Sequence, residues 1–166
     1  MNLESGDPVF RARALAQSHA LSPLATRFLN QAVGEQRATQ PVPEIGIWAG
    51  AGLTVGYCLR KVEENDAGLE LEPADEIPSL EELDEAAVRI AAEWRTVDHP
   101  EHALADPDRT LEALDRIIAS EIDRRLEHWR GTIDDKGWAE LEEYITWWVV
   151  KGYALRVAET VTGALS

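Results

Sequence analysis

The sequence predicts an all-α fold, a single-domain bundle of five or six helices with two apolar helices at its centre. Apolar residues recur at helical spacing along most of the 166 residues, and no segment alternates convincingly as a strand would. Residues 44–64 and 138–162 are apolar on nearly every side, which is typical of buried helices. The other predicted helices carry one apolar stripe each and would pack around this central pair.

Length and composition fit one globular domain that covers residues 1–166. A chain of this length buries a core without disulfides, and 45% of its residues are hydrophobic while 28% are charged. Cys58 is the only cysteine, and its apolar neighbours indicate a buried, inert thiol. The polar N-terminus gives no signal peptide, so we predict a cytoplasmic location. We also expect residues 1–6 to be disordered and residues 65–78 to form a long acidic loop.

The first two predicted helices each begin with a polar residue followed by proline. Asp7 and Pro8 start a helix that continues to about residue 20. Ser22 and Pro23 start a second helix, which is predicted to end at Gly34 because glycine commonly terminates helices. A proline-containing connector then precedes the third helix.

The third predicted helix, residues 44–64, contains 15 consecutive uncharged residues. This run is shorter than the roughly 20 residues that cross a membrane, so it predicts a buried helix. Its four glycines, at 46, 50, 52 and 56, would each cost about 0.5–1 kcal/mol relative to alanine. That cost indicates a close neighbour at the backbone: another helix is favoured, and a flat ligand or a symmetry mate is the alternative. A strand over residues 53–59 also fits the pattern.

The second half of the chain predicts three more helices, and we identify no internal repeat. Ser79 and Glu82 form a capping box at the start of an amphipathic helix that continues to about residue 97. An Asp-Pro pair starts the next helix, which ends near residue 130 before Gly131. Thr132, at capping-box spacing from an aspartate, is predicted to start the last helix.

The formal net charge of −15 is concentrated in the later part of the chain. Residues 1–61 hold 4 acids and 6 bases, residues 62–166 hold 27 acids and 10 bases, and 11 of those acids lie in residues 63–85. Such a chain repels phosphates, so we predict neither direct nucleic-acid binding nor membrane binding. A basic protein partner suits residues 63–85, and solubility is the alternative role of these acids. The acids predicted to contact such a partner are Glu70, Glu72, Asp75 and Glu76.

Three polar residues interrupt the apolar stripe of the fifth predicted helix. Glu121, Arg125 and His128 fall on the side expected to face the core, where polar groups must be paired or hydrated. In a partly dry pocket, Glu121 would act as a general base, Arg125 would hold an anionic substrate, and His128 would move a proton. The favoured alternative is a structural Glu–Arg pair with His128 at its edge.

Two cations, Lys151 and Arg156, interrupt the apolar middle of the last predicted helix. Cations among aromatic rings bind anionic or planar ligands, but a carboxylate such as Glu121 or Glu44 would equally neutralise them. The aromatic residues considered for such a ligand site are Trp48, Trp148 and Tyr144. Packing is the favoured interpretation of both the cations and the aromatic residues.

Phosphate-binding, nucleophile and metal motifs are absent from the sequence, so we predict no cofactor. His99 and His102 lie close together, but no second ligand cluster accompanies them, and we predict no metal site. A homodimer is predicted because two helices that are apolar on all sides are difficult for a small domain to cover.

Two functions fit these observations. The favoured one is a non-enzymatic interaction or regulatory protein that binds a basic protein. The alternative is a small-molecule-binding protein or acid–base enzyme with a pocket between the central helices, lined by Glu121, Arg125, His128, Lys151 and tryptophans. A filled core around Glu121 and Arg125 would remove this second function, whereas a cavity of several hundred Å³ there would favour it, since ligand pockets measure about 300–1,000 Å³.

Overall fold

The computed structural model describes residues 7–18, 21–40, 43–66, 79–96 and 107–160. In chain order, the helices are α1 (Pro8–Gln17), α2 (Pro23–Thr39), α3 (Pro43–Asp66), α4 (Leu80–Thr96), α5 (Pro107–Leu126) and α6 (Asp135–Thr160). None of these residues lies in a strand, so the predicted all-α fold is confirmed and the strand alternative for residues 53–59 is wrong. No helix among the described residues combines the length and apolar character that membrane crossing requires. Residues 1–6 and most of the predicted acidic loop lie outside the described ranges.

Polar caps begin α1, α2 and α4 where the sequence predicts them. The Asp7 carboxylate accepts a hydrogen bond from the Val9 N–H at 2.9 Å. Ser22 Oγ accepts one at 3.0 Å from an N–H three residues further on. In α4, the Ser79 hydroxyl oxygen accepts a bond from the Glu82 N–H at 3.1 Å. Each bond satisfies an N–H group that the first turn of a helix leaves without a backbone partner.

The predicted end of α2 at Gly34 is wrong, because the helix continues to Thr39. Gly34 keeps a helical conformation, and an added Cβ there would meet nothing within 4 Å. The residues that follow it are mostly good helix formers, so the cost of about 1 kcal/mol for one glycine does not stop the helix. Gln40, which precedes a proline, takes an extended conformation, as proline demands of its predecessor.

The predicted start of α6 at Thr132 is also wrong. Asp134 caps this helix, because its carboxylate accepts a hydrogen bond from the Gly137 N–H at 2.7 Å. The Thr132 hydroxyl instead donates to the Trp129 carbonyl at 2.6 Å, within the turn that joins the two helices. Gly131 adopts φ +85 in that turn, a left-handed conformation that glycine adopts readily, so the predicted break at this residue is confirmed.

Helices α3 and α6 lie side by side at the centre of the bundle. Every residue of α6 from 148 to 159 is buried, and the middle of α3 is buried to a similar degree. Helices α1 and α2 pack mainly on α3, whereas α4 and α5 pack mainly on α6. The two apolar helices therefore bury each other within one chain. We predicted a homodimer because these helices need to be covered, and contacts within the chain already cover them. The homodimer itself stays a prediction.

Glycines bring α3 and α6 to backbone contact. A Cβ added to Gly56 would overlap the Val149 carbonyl group, and one added to Gly152 would overlap the Leu53 carbonyl group. The remaining glycines of α3 lie against side chains or backbone of α2 and α6. Close helix packing, the favoured interpretation of the glycine-rich run, is therefore confirmed.

These central contacts are reciprocal, and they expose an internal repeat. Both helices carry the motif G-Y-x-L-R-x-x-E, at residues 56–63 and 152–159, which are 96 positions apart. Leu53 and Val149 are also 96 positions apart, so the glycine of each motif contacts the equivalent residue of the other helix. Each motif lies in the last part of its helix, so the contacts of the two motifs are reciprocal where α3 and α6 meet. The prediction that the chain contains no repeat is therefore wrong.

Candidate functional site

An open groove of about 610 Å³ lies between α1, α2, α3 and α5. We call it the arginine groove, and its charged residues are Arg13, Arg37, Glu121, Arg124 and Arg125. Leucine, valine and isoleucine side chains of α2 and α3 supply its apolar wall. The charged residues leave an excess of three positive charges in a chain of net charge −15. The groove is therefore a local positive region on an acidic protein.

Glu121 is the buried carboxylate of the arginine groove. Its side chain is only 4% exposed, and its two oxygens accept hydrogen bonds from different arginines. Arg13 Nη1 of α1 donates to Oε1 at 3.1 Å, and Arg125 Nε donates to Oε2 at 3.2 Å. Nη2 of Arg13 is also buried but has no hydrogen-bond partner. Such an orphaned donor costs about 1–3 kcal/mol, so this corner of the groove is electrostatically incomplete.

Arg37 and Arg124 complete the positive surface of the groove from α2 and α5. Both side chains are exposed, and neither forms an ion pair with another residue in the described ranges. Their charges are therefore available to a molecule that enters the groove. Sequence reasoning missed Arg13, Arg37 and Arg124, because nothing local places three arginines from different helices at one site.

Glu121 and Arg125 thus line a cavity of several hundred Å³ rather than a filled core, which is the outcome that favours ligand binding. The backbone of His128 lies in the 3₁₀ turn Glu127–Trp129, next to the end of α5, and its side chain is outside the described part of the structure. The groove opens beside α3 and not between α3 and α6, where the glycine contacts leave no space.

Lys151 lies in a second groove, of about 420 Å³, between α2, α4 and α6. We call it the lysine groove, and its charged residues are Glu35, Glu81, Asp84 and Lys151. Lys151 Nζ lies 2.6 Å from an Asp84 oxygen and 4.8 Å from the centroid of the Trp148 ring. The predicted neutralisation of Lys151 by Glu121 or Glu44 is therefore wrong, because α4 supplies the carboxylate. Lys151 and Trp148 share no groove with Glu121 and Arg125.

Trp48 and Tyr144, the other aromatic residues predicted to bind a ligand, line neither groove. Trp48 packs edge-on against Trp129 with their ring centroids 6.0 Å apart. The Tyr144 hydroxyl donates to the Gln36 side chain at 2.8 Å. The structure therefore gives both residues packing roles, as the favoured interpretation of the aromatic residues expected.

The repeated motif forms a buried polar network between the ends of α3 and α6. The Tyr57 hydroxyl donates to Glu159 at 2.7 Å, and the Tyr153 hydroxyl donates to Glu63 at 2.5 Å. The tyrosine of each motif thus bonds to the glutamate of the other. Burial raises the pKa of Tyr57 to about 12, so this hydroxyl stays a donor at neutral pH.

The arginine of each motif likewise bonds to the tyrosine of the other motif. Arg60 donates to the Tyr153 hydroxyl at 3.1 Å, and Arg156 donates to the Tyr57 hydroxyl at 3.2 Å. Arg156 also forms a two-pronged ion pair with Glu64, at 2.8 and 2.9 Å. The predicted partner of this cation, Glu121 or Glu44, is therefore wrong. The signal that would have located the network is the G-Y-x-L-R-x-x-E repeat.

Glu63 titrates abnormally within this network. Burial raises the pKa of its carboxyl above the ordinary value, although hydrogen bonds from Thr110 and Tyr153 oppose that shift. The folded state therefore holds a proton on Glu63 more tightly than the unfolded state does. The resulting stability is fully present below the unfolded pKa, near 4.5, and is lost as pH rises through the folded pKa.

We expect Glu63→Gln to stabilise the protein, relative to the unchanged chain, more at about pH 7 than at about pH 4. Glutamine resembles the protonated acid, so it removes only the cost of burying the charge. Urea unfolding of both proteins at the two pH values measures this difference. Glu140→Gln, at an exposed position of α6, is the control and should show no such pH dependence. An equal effect of Glu63→Gln at both pH values would contradict the prediction.

Other predicted sites are either inert or outside the described residues. Cys58 is buried, which confirms the prediction, and burial raises the pKa of its thiol to about 11. No group of three or more metal-ligating side chains occurs in the described ranges, and His99 and His102 lie outside them. The acids predicted to contact a partner, Glu70, Glu72, Asp75 and Glu76, also lie outside the described ranges.

The fold and the grooves define the protein as an all-α bundle with an open, positively charged groove on its surface. No protein-family model matches the chain, and no curated protein or solved structure is significantly similar to it. The geometry of the two grooves is therefore the basis of the proposed function.

Proposed function

We propose that this protein binds a small organic molecule in the arginine groove without transforming it. The observation that carries the proposal is that Glu121 and Arg125 line an open groove of about 610 Å³. That volume is within the range of about 300–1,000 Å³ that ligand pockets occupy. The groove also combines an apolar wall with a few converging polar groups, the usual composition of such a pocket.

The engagement of Glu121 supports binding over acid–base catalysis. Both of its oxygens accept hydrogen bonds from arginines, so the carboxylate holds Arg13 and Arg125 in place. Its side chain is only 4% exposed, so little of the carboxylate is open to a proton on a substrate, which a general base must reach. Glu121 therefore acts as a positioning residue for the two guanidinium groups.

Equivalent positions of the two central helices support the choice of groove. With the repeated motifs superposed, Ala51 and Val55 of α3 correspond to Trp147 and Lys151 of α6. The first two residues line the arginine groove, and the second two line the lysine groove. Large side chains thus occupy the lysine groove, whereas small ones keep the arginine groove open.

Placing the larger residue of α6 at the equivalent position of α3 tests the proposal. We expect Ala51→Trp to abolish the fluorescence increase that phenylnaphthylamine, an uncharged apolar dye, shows with the unchanged protein. The indole would occupy the space that the dye needs, and the charges of the groove would be unaltered. Titration of the dye into each folded protein measures the effect.

Ala14→Trp is the matched control for this experiment. Ala14 is exposed and lines a different groove, of about 630 Å³, between α1 and α3. Dye binding should survive this substitution. Loss of dye binding in Ala14→Trp, with retention in Ala51→Trp, would place the apolar site elsewhere and contradict the proposed function.

The binding of a basic protein stays a second proposal. Its support among the described residues is the lysine groove, where Glu35 of α2 faces Glu81 and Asp84 of α4. These two α4 residues lie within the acid-rich stretch at residues 63–85. Opposite charges on a partner would mainly accelerate its association.

A further inference from the structure

We infer that the ligand of the arginine groove is an organic oxyanion, in which a phosphate, carboxylate or sulfonate group is joined to an apolar body. This inference rests on the proposed function and adds the chemical class of the ligand. Three features of the groove carry it: an incompletely neutralised arginine pair, two further arginines at the groove surface, and an exposed aliphatic wall.

The arginine pair has more positive charge than its carboxylate neutralises. Arg13 and Arg125 both bind Glu121, which leaves one uncompensated positive charge at this point. Arg13 Nη2 also has no hydrogen-bond partner, although it is removed from water. An oxyanion beside these guanidinium groups would supply both the missing negative charge and, after a small rotation of Arg13, an acceptor for this donor.

Arg37 and Arg124 add positive charge from two different helices. Neither has an ion-pair partner among the described residues, so the groove holds their charges without an internal counter-ion. Planar guanidinium groups match the geometry of carboxylate and phosphate oxygens through paired hydrogen bonds. The net charge of −15 repels anions at long range, so the attraction is local to this groove, where charges mostly of one sign line a cleft and focus their field.

The apolar wall requires that the ligand be more than a free inorganic ion. Leu29, Val33 and Val55 line the groove, and Ile47 stands at its edge with 53% of its surface exposed. Ile47 is one of only two large hydrophobic side chains exposed in the described part of the chain. Covering this wall favours a ligand with an apolar portion beside its charged group.

A pair of dyes that differ only by a sulfonate group tests the inference. Anilinonaphthalene sulfonate carries an oxyanion, and phenylnaphthylamine is the same compound without the sulfonate. We expect the double variant Arg37→Gln with Arg124→Gln to weaken binding of the sulfonate about tenfold relative to its effect on the uncharged dye. Both arginines are exposed, and glutamine keeps the first carbons of each side chain, so the variant should fold.

Arg27→Gln, which removes one positive charge away from the groove, is the control, because Arg27 is exposed on α2 and lies outside all three grooves. It should leave the ratio of the two dye affinities unchanged. If the double variant also leaves that ratio unchanged while Ala51→Trp abolishes binding of both dyes, the oxyanion class is wrong and the proposed function stands. If Ala51→Trp alters neither dye, the proposed function itself fails.

Two sources of such an oxyanion are separated by a second measurement. Octyl phosphate, added as a monomer, should displace anilinonaphthalene sulfonate if the ligand is a soluble anion. Sedimentation with phosphatidylglycerol vesicles that the double arginine variant abolishes would instead assign a lipid headgroup to the groove. If octyl phosphate does not displace the dye and the protein does not sediment with the vesicles, the inference is overturned.

Discussion

Gly152→Ala is expected to lower the free energy of unfolding by about 3 kcal/mol or more, because the added methyl group has no space. A Cβ at this position would overlap the Leu53 carbonyl group of α3. Backbone atoms of a central helix cannot rotate away as a side chain end does, so the whole seam between α3 and α6 must open. Urea unfolding followed by circular dichroism measures the loss.

Gly34→Ala provides the matched comparison within a helix. An added Cβ there would meet nothing within 4 Å, so alanine should raise the free energy of unfolding by about 0.5–1 kcal/mol. The two substitutions change the same atoms and are therefore expected to act in opposite directions. Equal stability of Gly152→Ala and the unchanged protein would show that the two central helices do not meet as described.

Arg156→Met is expected to lower the free energy of unfolding by about 3–5 kcal/mol, the usual cost of removing one partner from a buried ion pair. Arg156 is 4% exposed and binds Glu64 and Glu159, which are 3% and 0% exposed. Methionine would fill much of the same volume but would leave these two buried carboxylates with less positive charge beside them. Urea unfolding at neutral pH measures the loss.

A second substitution separates electrostatics from packing. Arg156→Lys keeps a positive charge beside the two buried carboxylates, so it should recover part of the stability that Arg156→Met loses. Arg116→Met is the control, because Arg116 pairs with Asp7 at the exposed surface at 2.6 Å. It should cost no more than about 1 kcal/mol. A loss in Arg156→Lys as large as that in Arg156→Met would contradict the electrostatic explanation.

Much of the fold follows from local sequence signals. Asp7, Ser22 and Ser79 cap helices where predicted, because a cap depends only on a side chain and the three residues after it. The end of α2 and the start of α6 were misplaced by single residue preferences at Gly34 and Thr132. The helix-forming residues after Gly34 continue α2 to Thr39, and Asp134 caps α6 in place of Thr132.

The candidate site was only partly predictable. Glu121 and Arg125 lie one helical turn apart, so their ion pair follows from the spacing of one helix. Arg13 joins them from 108 residues earlier in the chain, and no periodic pattern encodes that meeting. Lys151 pairs with Asp84, which lies on another helix, and no periodic pattern in the sequence predicts that contact either. The repeated motif of α3 and α6 was visible in the sequence, but only the structure shows that its shared tyrosines, arginines and glutamates contact one another between the two helices.

The sequence by itself determined that this chain forms helices, roughly where most of them begin and end, and that two of them are apolar on nearly all sides. These properties depend on residues within a few positions of one another. Only the tertiary structure decided that the arginines of α1, α2 and α5 share one groove and that the buried acids pair across α3 and α6. Such contacts depend on how whole helices pack, which is set by the shape of the entire core and not by any single segment.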